Sequence, residues 1–119
     1  MTRASNLRNE LSKHHGSQCL FQHGINPGFL YTEGVQCFAE EAGAYWFLDI
    51  AATEIWEFCL SLEFATIILA AHGDGYGYIR IEDGNGGVLW SKKIPYTNCP
   101  EGEWMFFYLN NTLILPSEY

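Results

Sequence analysis

Apolar residues in the first part of the chain recur at the spacing of an α-helix. Leu7 and Leu11 lie four positions apart and predict a short helix that Ser5 caps and that runs to about Lys13. Residues 16–30 have no helical period and contain the turn signal Asn-Pro-Gly, so we expect a loop there.

Two more helices are predicted within residues 32–53. Thr32 suits the N-cap of the first helix and Gly43 suits its C-cap, while Glu33 complements the positive end of the helix dipole. The second helix, from Ala44 to about Thr53, is almost entirely apolar. Such a helix is typical of a position buried in the domain or in an interface.

From Ile55 onward apolar and polar residues alternate, which indicates β-strands, first over residues 57–63. Turn signals at residues 73–75, 83–86 and 110–111 separate the later strands, and tight turns join antiparallel neighbours. The pattern predicts one α+β domain over residues 1–119, with N-terminal helices packed on a five- or six-stranded antiparallel β-meander. Residues 1–54 should be mostly helix and loop, and residues 55–119 mostly sheet.

Composition narrows the classes of partner. The 119 residues include 6 Lys and Arg against 14 Asp and Glu, a formal net charge of −8. Six bases are too few to dominate a nucleic-acid surface or to favour an anionic membrane. The longest charge-free apolar run is far shorter than the roughly 20 residues that span a bilayer. No signal peptide is recognisable, so we expect a cytoplasmic protein.

Negative charge is concentrated in one part of the chain. Residues 32–63 carry seven acidic residues and no Lys or Arg. We expect this block to dock on a basic surface of a partner protein, and the alternative is a solvated helix surface. The residues assigned to partner binding are Glu33, Glu40, Glu41, Asp49, Glu54 and Glu57.

Aromatic residues are more numerous than a small core readily hides, at 16% of the chain. In the run of residues 104–108 both faces of a strand would be apolar, so either the strand is central or a partner, such as a second copy, covers one face. The candidate interface aromatics are Tyr45, Trp46, Trp56, Trp104 and Phe106.

Local motifs for catalysis, metal or cofactor binding are absent from the sequence. The loop from Asp83 departs from the calcium-binding pattern, and His72 with Asp74 lacks a third ligand nearby. The four cysteines (Cys19, Cys37, Cys59 and Cys99) form no C-x-x-C pair, and free, mostly buried thiols are expected. We therefore predict a non-enzyme without cofactor or metal, and a Cys–His catalytic pair is the alternative that stays open.

Several blocks of sequence resemble one known family. They are FLYTEGV at residues 29–35, GAYWFLD at 43–49, EDGNG at 82–86 and LPSEY at 115–119. The chain, over roughly residues 20–119, is similar to small bacterial and phage proteins that are known only as a domain of unknown function. The resemblance implies no catalytic residue.

Occurrence on phages and mobile elements implies, by analogy, an inhibitor of host defence of the anti-CRISPR kind. Its partner would be a host CRISPR-associated nuclease or a surveillance-complex subunit, since these hold nucleic acid in basic channels. The alternatives are a structural homodimeric domain and, less favoured, an unrecognised enzyme.

Overall fold

Helices cover one face of a seven-stranded sheet. The structure is a computed structural model, and it describes residues 2–14 and 20–119. This arrangement confirms the predicted α+β class. The helices are α1 (Arg3–Leu11), α2 (Glu33–Ala42), α3 (Tyr45–Ile50) and α4 (Trp56–Phe58). The strands are β1 (Leu20–Gln22), β2 (Leu30–Thr32), β3 (Ala65–Ala71), β4 (Gly77–Glu82), β5 (Val88–Ile94), β6 (Gly102–Leu109) and β7 (Thr112–Ile114).

The order of strands across the sheet is β1-β2-β7-β6-β3-β4-β5. All neighbours are antiparallel except β2 and β7, which run parallel and place Leu30 opposite Thr112. Strand β1 and the first residue of β2 lie in residues 16–30, where a loop was predicted, and these two strands bring the sheet to seven strands where five or six were predicted. That prediction was wrong because strands of three residues are too short to show a period of two.

The helical segment after α3 is longer than predicted. A π-helical turn (Ala51–Ile55) joins α3 to α4, and a 3-10 turn (Cys59–Ser61) follows. The strand predicted over residues 57–63 is therefore wrong. Buried Ala52, Ile55 and Cys59 are spaced three and four apart, as on a helix, whereas Leu60 of the apparent alternation is 62% exposed.

The wide turn between α3 and α4 is built from local hydrogen bonds. The backbone N–H of Trp56 donates to the carbonyl of Ala51, five residues earlier, as a π-helix requires. The hydroxyl of Thr53 donates to the carbonyl of Asp49 at 2.8 Å. The side chain thus supplies a donor where the regular helical pattern changes.

Helix caps follow the sequence signals at α2. The Thr32 hydroxyl accepts from the Val35 N–H at 3.3 Å, and Gly43 ends the helix in the left-handed region at φ 64°. At α1 the N-cap is Thr2 and not the predicted Ser5. The threonine hydroxyl accepts from the Ser5 N–H, so the helix begins one turn earlier in the chain.

The hairpin turns confirm two predictions. Asn110 and Asn111 adopt φ of 52° and 59°, as a two-residue hairpin between β6 and β7 requires. Between β4 and β5, the Asp83 carboxylate accepts from the N–H groups of Asn85 and Gly87 at 2.8 and 3.0 Å. Asp83 therefore closes its own turn.

The core lies between the helical segment and one face of the sheet. Phe38 of α2 is its centre, with ring centroids 5.0 Å from Phe106, 5.6 Å from Trp104 and 6.2 Å from Phe47. All four side chains are at most 2% exposed. Burial of these large rings is the main source of stability for the contact between the two layers.

Candidate functional site

The six acidic residues predicted to bind a partner all lie in the helical segment, and we call them the acidic layer. Glu33, Glu40 and Glu41 are on α2, Asp49 is on α3, and Glu54 and Glu57 follow in the π turn and α4. Glu33 is half-buried and the other five are exposed.

Few positive groups neutralise the acidic layer. Lys92 forms an ion pair with Glu54 at 3.3 Å, and the Asp49 carboxylate is in hydrogen-bond contact with His23 Nε2 at 2.8 Å. The other four acids make no ion pair within residues 2–14 and 20–119. Exposed pairs contribute about 0–1 kcal/mol and leave most of the field in place. The surface therefore remains strongly negative.

The structure divides the acids of α2 between two sides of the helix. Glu33 and Glu40 border a shallow depression with Tyr45, whose hydroxyl donates to the Glu40 carboxylate at 2.8 Å. That hydrogen bond raises the pKa of Tyr45. Glu41 faces α1 instead and lies beside Glu10. Adjacent helix positions differ by about 100°, so Glu40 and Glu41 do not act on one surface.

The predicted interface aromatics fall into two groups. Tyr45 is 43% exposed, and Trp46 and Trp56 are half-buried against the core. Trp104 and Phe106 are 2% and 0% exposed on the face of β6 that the helices cover. These two cannot contact a partner, because they already pack inside the molecule.

An exposed apolar surface lies on the other face of the sheet, where sequence reasoning did not place it. Phe64, Phe107 and Tyr119 form an outer aromatic cluster with ring centroids 5.1 to 5.7 Å apart. Met105 is on the same face of β6 and is 45% exposed. The alternation along β6 carried this signal, since neighbours of Trp104 and Phe106 must point the opposite way.

A charged cluster borders this outer face. The Arg80 guanidinium donates to Glu82 of its own strand β4 at 2.6 Å, and it reaches over β3 to donate to Glu103 of β6 at 3.1 Å. The hydrogen bond to Glu82, and then that to Glu103, raises the pKa of Arg80. Because the Arg80 guanidinium is already paired with the carboxylates of Glu82 and Glu103, it adds little attraction for an anionic partner.

Three of the four cysteines lie within the described residues, and all three are free thiols. Burial raises the pKa of Cys59 to about 11 and that of Cys99 to about 12. Cys37 is half-buried, and burial followed by the charges of Glu41 and Glu10 raises its pKa as well. Cys19 lies outside the described residues, as does His15.

Thiol alkylation at pH 8 should modify Cys37 well before Cys59 and Cys99. Cys59 and Cys99 are 3% and 7% exposed, and a raised pKa keeps each as the unreactive thiol at that pH. Iodoacetamide labelling followed by peptide mass spectrometry gives the rate at each site. Equal rates at the three sites without denaturant would contradict the burial of Cys59 and Cys99.

Groups able to hold a metal ion do not occur among the residues that the structure describes: no cluster of three His, Cys, Asp or Glu side chains is present there. His72 is engaged by a ring stack on Tyr76, with centroids 4.5 Å apart. Within the same residues, no helix is both long and apolar enough to cross a membrane.

The fold and its surfaces define a small α+β domain with an acidic helical layer on one side and a partly apolar sheet face on the other. The chain belongs to the Family of unknown function (DUF6876), whose model matches residues 5–119. A search of curated proteins gives no match. A search of solved structures gives none either.

Proposed function

We propose that this protein is a non-catalytic binding protein whose acidic layer docks on a basic surface of a partner protein. One observation carries the proposal: residues 32–63 hold seven acids and no Lys or Arg, and among the described residues only Glu54 of these acids is paired with a Lys or Arg. Such a field raises the rate of association with a basic surface and disfavours acidic ones.

The proposed partner is a host CRISPR-associated nuclease or a surveillance-complex subunit. These complexes hold nucleic acid in positively charged channels, which an acidic surface complements. A phage or mobile-element origin and an inhibitory role belong to this same proposal. It is supported by charge complementarity and by analogy with small acidic inhibitors.

Charge reversal within the acidic layer should weaken partner capture. We expect Glu33→Lys with Glu40→Lys to slow association by about tenfold or more at low salt, because both acids border one depression beside Tyr45. The tagged protein is the bait in a lysate of a bacterium that carries CRISPR systems. Mass spectrometry at low and moderate salt identifies the captured protein, and surface plasmon resonance with that purified protein gives the rates.

The matched control is Asp74→Lys with Glu101→Lys, which changes net charge equally at two exposed acids outside the acidic layer. Association of the control should stay within about twofold of the unchanged protein, since exposed charges are screened beyond roughly 10 Å. Equal losses of association rate in both double variants would show that net charge, and not the position of the acidic layer, determines the rate. Capture of nothing but the bait would contradict the proposal that this protein binds such a partner.

A homodimer that uses the outer sheet face is the second candidate function. The outer aromatic cluster and Met105 leave apolar area exposed on a face that no described helix covers. Aromatic and methionine side chains are enriched at the centres of protein interfaces.

Light scattering at micromolar concentration tests the dimer. A dimer that becomes a monomer on Phe64→Ser and persists on Tyr45→Ser would support the outer face as the interface. The two side chains are equally exposed at 43%, so they differ in location and not in accessibility. A monomeric unchanged protein would exclude this candidate.

A further inference from the structure

Strand β6 is paired along nearly its whole length on one side but only over its last three residues on the other. Toward β3, residues 102–108 all have partners. Toward β7, pairing stops where Phe107 lies opposite Ile114, and the chain then turns into the 3-10 segment Pro116–Glu118. The first half of β6 thus presents an edge that no strand occupies within the described residues.

The register shows which peptide groups face this open edge. Leu109 and Thr112 flank the two-residue turn and form the first hydrogen-bonded pair of the hairpin, so every second residue back along β6 points the same way. Those residues are Phe107, Met105 and Glu103. The Glu103 carbonyl accepts from the Arg8 guanidinium at 3.2 Å, whereas no described strand meets Met105 on this side.

A groove of about 470 Å³ runs along the open edge. The residues that line it include Leu11 at the end of α1, the following Ser12, Leu115 and Pro116, together with residues 103–106 of β6. The walls are largely apolar. A peptide group that faces such a groove without a partner is costly, and an extended chain offers donors and acceptors at the matching spacing.

We propose that the open edge of β6 binds an extended segment of a partner protein, which adds to the sheet in line with β7. Main-chain hydrogen bonds to Met105 would give affinity, and apolar side chains on one side of the segment would lie against Leu11 and Leu115. The site does not use the acidic layer, so it goes beyond the function proposed above.

The occupant is a single extended chain and not a second copy of this protein. The edge lies between α1 and the segment Pro116–Glu118, and the same edge of a second copy is enclosed in the same way. Two enclosed edges cannot approach to the 4.7–4.9 Å that separates paired strands. One strand without flanking walls can enter the groove.

Selection of random linear peptides from a phage-displayed library on the immobilised protein tests the proposal. Enriched peptides should alternate apolar and polar residues, and their affinity is measured by fluorescence anisotropy. Met105→Pro removes the N–H that faces the groove and should weaken binding by about tenfold or more. Binding of these peptides should persist at moderate salt and in the Glu33→Lys, Glu40→Lys variant, which separates this test from that of the acidic layer.

The matched control is Ser91→Pro on β5, the outermost strand of the sheet. The register of β4 with β5 turns the Ser91 N–H outward, so this proline also removes a donor that no strand uses. Ser91→Pro should leave affinity unchanged. Ser117→Trp is a second disruptive variant, at an exposed position that lines the groove. Its indole would fill the groove without altering β6, so it should abolish peptide binding.

Three results would overturn the proposal. They are failure of the library to enrich any peptide, equal affinity of the peptides for the unchanged protein and the Ser117→Trp variant, and a dimer in light scattering that Met105→Pro or Ser117→Trp dissociates. The last result would assign the groove to a second copy.

Discussion

Replacing Phe38 with alanine is expected to lower the free energy of unfolding by about 3–5 kcal/mol. The Phe38 ring is fully buried and contacts aromatic rings from both layers, with Phe106 at 5.0 Å and Phe47 at 6.2 Å between centroids. Its removal leaves a cavity that the rigid sheet cannot close, so lost contacts and lost burial add together. Urea denaturation followed by tryptophan fluorescence and circular dichroism measures the change.

The control for Phe38 is Phe64→Ala in the outer aromatic cluster. Phe64 is 43% exposed, so the same substitution there removes much less buried area. We expect a loss of about 1 kcal/mol or less in the monomer. A loss at Phe38 no larger than that at Phe64 would show that the helical layer does not depend on this aromatic contact.

Replacing Glu118 with alanine is expected to cost about 2–3 kcal/mol, since hydrogen bonds to a charged acceptor are among the stronger ones. The Glu118 carboxylate accepts from the Thr32 hydroxyl at 2.7 Å, from the Leu115 N–H at 2.9 Å and from the Gly34 N–H at 3.3 Å. It connects the last turn of the chain to the first turn of α2. The same denaturation experiment gives the loss.

Glu118→Gln is the conservative variant. It keeps one side-chain oxygen and nearly the same volume, so we expect it to retain about half of the stability lost in alanine. Gly34 offers a second comparison, because a Cβ there would lie 2.5 Å from a Leu115 methyl carbon and 2.7 Å from the Glu118 carboxylate. If Glu118→Ala and Gly34→Ala both left the free energy of unfolding unchanged, the connection between α2 and the C-terminal turn would make no contribution to stability.

Local signals explain which parts of the fold the sequence predicted. The caps of α2 at Thr32 and Gly43 and the hairpin at Asn110–Asn111 depend on neighbouring residues only, and all are present. Strand β2 was missed because it has only three residues, and β7, one of its two partners, lies about eighty positions later in the chain. Residues 57–63 were misread because Phe58 and Leu60 imitate a strand while remaining exposed.

From the sequence, the exposure of a side chain was harder to predict than whether its residue lies in a helix or a strand. The acidic layer could be predicted because charged side chains avoid burial, and five of its six members are exposed. Trp104 and Phe106 could not be assigned to a face, since alternation along β6 does not say which face the helices cover. The groove beside Met105 depends on where β7 ends, which only the three-dimensional structure reveals.

The π turn at Ala51–Ile55 makes the protein tolerant of a change in length at one place. A π turn holds one residue more than the α-helical turn it replaces. Loss of one exposed residue there, such as Thr53, would leave an ordinary α-helix whose flanking residues keep their faces toward the core. A variant of this protein that lacks one residue within 51–55 should therefore keep the same packing on the sheet.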